Sequence, residues 1–133
     1  MNRTNLNDVE LSYDEEPKGY GAGYRRISPL VGAEDINLNV VELARGQAVC
    51  PYHYEYVEEW LIVLEGEVAV RTPEGEELAR RGDAVCFPTG PAGAHKVTKP
   101  RRRSRAGGPV LELPAARGGH LSGQRQDRRL PRA

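Results

Sequence analysis

The chain has 133 residues, and its 19 Lys and Arg residues balance 19 Asp and Glu residues, for a formal net charge of zero. This length favours one domain. No stretch approaches the roughly 18 apolar residues of a membrane span, and the polar start lacks the apolar run of a secretory signal. We therefore expect a cytoplasmic protein with no membrane partner. Two cysteines are too few for a disulfide framework, and we expect them as small core residues in preference to metal ligands.

The charges are unevenly distributed along the chain. Residues 1–99 hold 10 Lys and Arg against 17 Asp and Glu, whereas residues 100–133 hold 9 against 2. The sequence therefore predicts an acidic body followed by a basic tail.

The body divides into a polar N-terminal arm, residues 1–23, and a β-rich core, residues 24–99. The arm is expected to be extended or to form a short edge strand. Short β-type runs then alternate with Gly, Pro and Asp breaks, which is typical of an all-β sandwich or barrel. The predicted strands are 36–43, 48–56, 60–64, 67–72, 77–80 and 84–87.

The period-two alternation of strands sorts the polar side chains. In the run 52–56 it places His53 and Glu55 on one face and Tyr52, Tyr54 and Tyr56 on the other. In the next run Glu59 shares a face with Leu61, and Glu58 is expected to face solvent.

The reverse face of this run, formed by Trp60, Ile62 and Leu64, is also apolar. An exposed patch of this kind is costly for a soluble monomer, so something must cover it. The candidates are the N-terminal arm and a second subunit. We expect a homodimer.

Two segments resemble the conserved motifs of the cupin superfamily. Residues 46–66 read Gly, then His53, Glu55 in the place of a second histidine, Glu59 and a final Gly, as in the first cupin motif. Residues 82–99 read Gly, five residues, Pro-Thr-Gly and then His95, as in the second. The resemblance implies a small single-domain cupin of the type-2 conserved-barrel kind, a double-stranded β-helix or jelly-roll barrel.

The same resemblance implies that His53, Glu59 and His95 are metal ligands, with Glu55 at the position of a fourth. Two imidazoles with one or two carboxylates suit a divalent ion such as Mn, Fe, Ni or Zn. Glu55 would complete the coordination or act as a general base beside the ion. The alternative is a solvated acidic strand end formed by Glu55, Glu58 and Glu59, with His53 as an ordinary polar residue.

Three functions remain open at this stage. The first is a metal-dependent enzyme, an isomerase, dioxygenase or lyase, that acts on a small polar metabolite. The second is a non-catalytic cupin that binds a small ligand as a sensor or storage module. The third is nucleic-acid association through the basic tail, against which the lack of interleaved aromatic residues argues.

The tail itself, residues 100–133, contains nine arginines and no lysine. Its composition favours disorder. It also fits translation out of frame, because a shifted reading of residues 122–132 resembles the closing segment of small cupins. Only residues 110–113 could supply the strand that closes the barrel.

Overall fold

The computed structural model describes residues 1–13 and 18–101, and the backbone of residues 109–114. Within these residues the chain forms nine strands and two short 3-10 helices, so the predicted all-β class is confirmed. The helices are Ser28–Val31 and Pro91–Gly93. The strands are β1 (Ser12–Tyr13), β2 (Gly23–Arg26), β3 (Asn39–Glu42), β4 (Glu59–Val63), β5 (Glu67–Thr72), β6 (Gly75–Arg80), β7 (Ala84–Phe87), β8 (Lys96–Thr98) and β9 (Pro109–Pro114).

The strands form two antiparallel sheets. The larger has the order β1-β2-β3-β9-β4-β7, and the smaller has the order β6-β5-β8. Strand β9 lies between β3 and β4, where Leu111 pairs with both Val40 and Ile62. The predicted closing strand is therefore present, and it joins the two halves of the larger sheet. The out-of-frame interpretation of residues 122–132 concerns a part of the tail outside the described residues.

The predicted strand 48–56 is wrong. This segment makes only isolated bridges, Ala48 with Thr98 and His53 with His95. Pro51 interrupts it, because proline has no N–H to donate to a strand partner. Tyr54 and Tyr56 are nevertheless in edge-to-face contact at 5.6 Å between ring centroids, as expected for side chains on one face.

The main core lies between the two sheets. It contains nine buried apolar side chains: Val41, Leu43, Leu61, Val63, Val68, Val70, Ala79, Phe87 and Val97. Strands β4 and β5 contribute four of them, so the strand that carries Glu59 also anchors the core.

A second, smaller core covers the reverse face of the larger sheet. Ile27 and Val40 are buried there, and Leu6, Val9, Leu11, Leu38, Ile62 and Leu64 pack against them. The N-terminal arm thus covers the Ile62 side of β4, while Trp60 remains 41% exposed. The homodimer stays a prediction. No helix in the described part of the chain has the length and apolar character needed to cross a bilayer.

Ser28 ties the loop before β3 to the first 3-10 helix. Its buried hydroxyl donates to the Ile36 carbonyl at 2.7 Å and accepts from the Leu38 N–H at 2.6 Å. Ser28→Ala should lower the free energy of unfolding by roughly 1 kcal/mol, because the part-buried Leu38 N–H and Ile36 carbonyl lose their hydrogen-bond partner. Urea unfolding measures the change, with Ser12→Ala on the exposed edge strand as control. Equal values for the two variants would contradict this role.

Candidate metal centre

The two motif histidines are brought together by a backbone bridge. The His53 N–H donates to the His95 carbonyl at 3.1 Å, and the His95 N–H donates to the His53 carbonyl at 2.8 Å. Directly paired residues in antiparallel segments project their side chains to the same face. The imidazole centroids accordingly lie 4.9 Å apart.

Each imidazole is oriented by a carbonyl two residues earlier in the chain. His53 Nδ1 lies 2.9 Å from the Pro51 oxygen, and His95 Nδ1 lies 2.8 Å from the Gly93 oxygen. A carbonyl accepts only, so both Nδ1 atoms carry the proton when the rings are neutral. The lone pair of each Nε2 is then available to a metal ion.

Glu59 supplies a carboxylate to the same point. Its Oε2 lies 3.6 Å from His95 Nε2, and its side chain is 19% exposed. One ligand atom from each of His53, Glu59 and His95 lies within 4.8 Å of the other two. Ligands about 2.1 Å from a common ion lie roughly 3–4 Å apart, so small side-chain rotations would allow coordination.

Glu55 lies at the edge of this group and is not part of it. Its Oε1 is 3.8 Å from His53 Nε2, and its side chain is 51% exposed. Its carbonyl accepts from the Gly90 N–H at 2.7 Å, which ties it to the loop before His95. Glu55 therefore stands beside the three convergent ligands as a solvent-accessible carboxylate.

Glu58 points away from the centre, as its place in the alternation predicts. Its Oε1 accepts from the Trp60 indole N–H at 2.6 Å on the outer side of β4. Adjacent carboxylates thus have opposite surroundings, Glu59 facing the histidines and Glu58 facing solvent.

His95 is the most enclosed member of the group. Its ring stacks on the buried Phe87 with centroids 3.6 Å apart and planes 8° from parallel. Burial lowers the pKa of His95 from 6.5 to about 4, with the nearby His53 adding to the effect and the Gly93 carbonyl opposing it. The imidazole is consequently neutral near pH 7, the form that binds metal ions.

The loop that carries His95 is closely packed around Gly93. A β-carbon on Gly93 would lie 1.7 Å from the Pro88 oxygen, so no larger residue fits without displacing the loop. Because Gly93 also provides the acceptor for His95 Nδ1, the tight turn and the ring orientation depend on the same residue.

Phe87 is a neighbour of the centre that the sequence did not identify, and Cys50 is a neighbour that the sequence offered only as a less favoured metal ligand. Cys50 Sγ lies 3.3 Å from His53 Nδ1. Both cysteines were expected in the core, but Cys50 is half-buried and Cys86 is exposed. The position of Cys50 three residues before His53 was the available signal, and the prediction of a continuous strand obscured it.

The family model described as "Cupin domain" matches residues 39–101. This range contains both histidines, Glu59 and strands β3 to β8. The chain contains a cupin domain. The double-stranded β-helix expected from the two motifs is thereby confirmed as its fold.

Solved cupin structures share this architecture. A sugar phosphate isomerase of the cupin superfamily from Silicibacter pomeroyi superposes with a TM-score of 0.71 at 22% identity, covering 85% of this chain and 74% of its own. The polyketide cyclase RemF from Streptomyces resistomycificus gives 0.68 at 21% identity, covering 96% and 89%. An RmlC-like cupin from Shewanella frigidimarina gives 0.61 at 18% identity, covering 84% and 87%. A search of curated proteins found no match.

Proposed function

We propose that this cupin is a metal-dependent enzyme that acts on a small polar metabolite at the His53–Glu59–His95 centre. The observation that carries the proposal is the convergence of three ligand atoms within 4.8 Å of one another. A solvated acidic strand end would not require two oriented imidazoles or a half-buried carboxylate between them.

The donor set suits a catalytic ion. Two imidazoles and one carboxylate are typical of non-haem iron sites and also bind Mn, Ni and Zn, and three protein ligands leave positions for a substrate. A divalent ion bound there would act as a Lewis acid on a substrate oxygen. The neutral state of His95 supports this reading, because no proton has to be displaced from it near pH 7.

Glu55 is the residue placed to move a proton. Its exposed carboxylate stands 3.8 Å from His53 Nε2 without belonging to the three convergent ligands. A carboxylate beside an ion-bound substrate can serve as a general base. The solved structures named as an isomerase and a cyclase support an enzymatic role in the same fold, and the reaction class remains part of the proposal.

Elemental analysis of protein purified without a metal-chelating tag tests the centre. The wild type, reconstituted with Mn, Fe, Ni or Zn, should retain about one ion per chain, and His53→Ala, His95→Ala and Glu59→Gln should each lose it. Glu58→Gln is the matched control, because Glu58 adjoins Glu59 but bonds to Trp60 instead.

Circular dichroism of each variant separates loss of the ion from loss of the fold. A folded wild type that retains none of the four metals would contradict the proposal and favour a non-catalytic cupin that binds a small ligand. Equal loss of metal in Glu58→Gln and Glu59→Gln would show that the acidic cluster binds ions without a defined centre.

A further inference from the structure

The outer face of the smaller sheet carries two rows of side chains that the proposed metal centre does not use. In the first row Ala69 of β5 pairs with Leu78 of β6 and with Thr98 of β8. In the second row Arg71 pairs with Glu76 and with Lys96. The inner face of the same strands contributes Val68, Val70 and Val97 to the core, so the two rows look outward.

The second row places two cations directly opposite each other. Like charges directly opposite each other on neighbouring strands are destabilising. In a chain whose body is acidic, neighbouring carboxylates would be expected to neutralise such a pair. Neither cation has one within 4.0 Å in residues 1–13 and 18–101, although Glu76 faces Arg71 across the strands. Each is instead held by an aromatic ring, Arg71 at 4.9 Å from the centroid of Tyr52 and Lys96 at 5.7 Å from that of Tyr20.

The first row forms the floor of a cavity next to this pair. The cavity has a volume of about 360 Å³ and is lined by Ala69, Leu78 and Thr98 from the first row and by Glu76 from the second. Leu78 is 62% exposed, so its side chain is accessible to a ligand. Such a volume is within the range of small-molecule sites, roughly 300–1,000 Å³.

The rest of the cavity lining consists mainly of polar and charged groups. Gly46, Glu67, Lys99, Pro100 and Arg101 form this part. The Lys99 ammonium donates to the Glu67 carbonyl at 2.8 Å, so Lys99 is already engaged within the protein. Arg71 and Lys96 do not line the cavity themselves; they form the row next to the one that contains Ala69 and Leu78.

We infer that this outer face binds a small organic phosphate, with its dianionic group between Arg71 and Lys96 and its organic part over Ala69 and Leu78. A guanidinium recognises phosphate oxygens through paired N–H donors and an ammonium adds a point charge. A phosphate monoester carries close to two negative charges near pH 7, which matches two cations. The stacked tyrosines hold the cations in place before the ligand arrives. The site lies on the opposite side of the smaller sheet from its core and is independent of the metal centre.

Phenyl phosphate and inorganic phosphate are the probes, titrated into the full-length ¹⁵N-labelled protein and followed by amide chemical shifts. Phenyl phosphate should bind saturably and about tenfold more tightly than inorganic phosphate, because only the ester fills the cavity. Shifts should concentrate at Tyr20, Tyr52, Arg71 and Lys96. Phenol alone should not bind.

Three variants separate the parts of this site. Arg71→Gln should weaken both probes at least tenfold, and Leu78→Ser should weaken phenyl phosphate alone. Arg81→Gln, an exposed arginine outside the two rows, is the matched control and should change neither. Equal weakening by Arg71→Gln and Arg81→Gln would reduce the effect to general charge attraction and overturn the inference. An unchanged affinity in Arg71→Gln would also overturn it, since the phosphate would then be bound elsewhere, including at a metal ion.

Discussion

Acidification from pH 7 to pH 4 should lower the free energy of unfolding of the metal-free protein by roughly 3 kcal/mol through His95 alone. The folded-state pKa of His95 is about 4, against an ordinary value of 6.5, chiefly because burial removes water from the ring. Between about pH 4 and pH 6.5, His95 binds a proton in the unfolded chain but not in the folded chain. Stability from this residue is therefore complete above about pH 6.5 and is lost as the pH falls toward 4.

His95→Asn provides the reference for this measurement, because asparagine does not titrate. Urea unfolding in the presence of a chelator, at pH 7 and at pH 4, gives the loss for each protein. The carboxylates titrate in both, so the difference between the two losses isolates His95. Parallel losses in wild type and variant would show that the histidine is not buried in its neutral form.

Replacement of Phe87 by leucine should weaken metal binding by roughly tenfold, by analogy with other residues that orient metal ligands. The phenyl ring lies flat on the His95 imidazole at 3.6 Å, and leucine cannot reproduce that contact. Without the stack, the ring would keep the Gly93 hydrogen bond and its contacts with His53 and Glu59 but would lose the flat surface that sets its plane. Isothermal titration with the metal that the wild type retains measures the affinity.

A destabilised fold could weaken binding for a less specific reason, so a remote core variant is required. Ile27→Ala removes a side chain that is 2% exposed in the second core, on the other side of the larger sheet. It should cost about 2–5 kcal/mol of stability and leave metal affinity unchanged while the protein is folded. If Ile27→Ala weakened binding as much as Phe87→Leu, Phe87 would have no specific role in orienting His95.

The cupin assignment was accessible from the sequence because its motifs are local. Gly, Pro and His spacings around His53 and His95 fix tight turns and short strands, whose requirements are set by nearby residues. The separation of Glu58 from Glu59 followed from period-two alternation in β4, a regular strand. In the irregular segment 48–56 the prediction of a continuous strand was wrong, since Pro51 breaks it, although His53 and Glu55 still lie 3.8 Å apart.

By itself, the sequence determined an all-β cupin barrel and the residue types that can form its metal centre. The tertiary structure decided which of them converge: the bridge between His53 and His95 sets the two rings side by side, and Glu55 is left outside the group. It also decided the stack of Phe87 on His95 and the pairing of Arg71 with Lys96. These contacts depend on strand register and on packing between separate segments, which no local pattern of residues specifies.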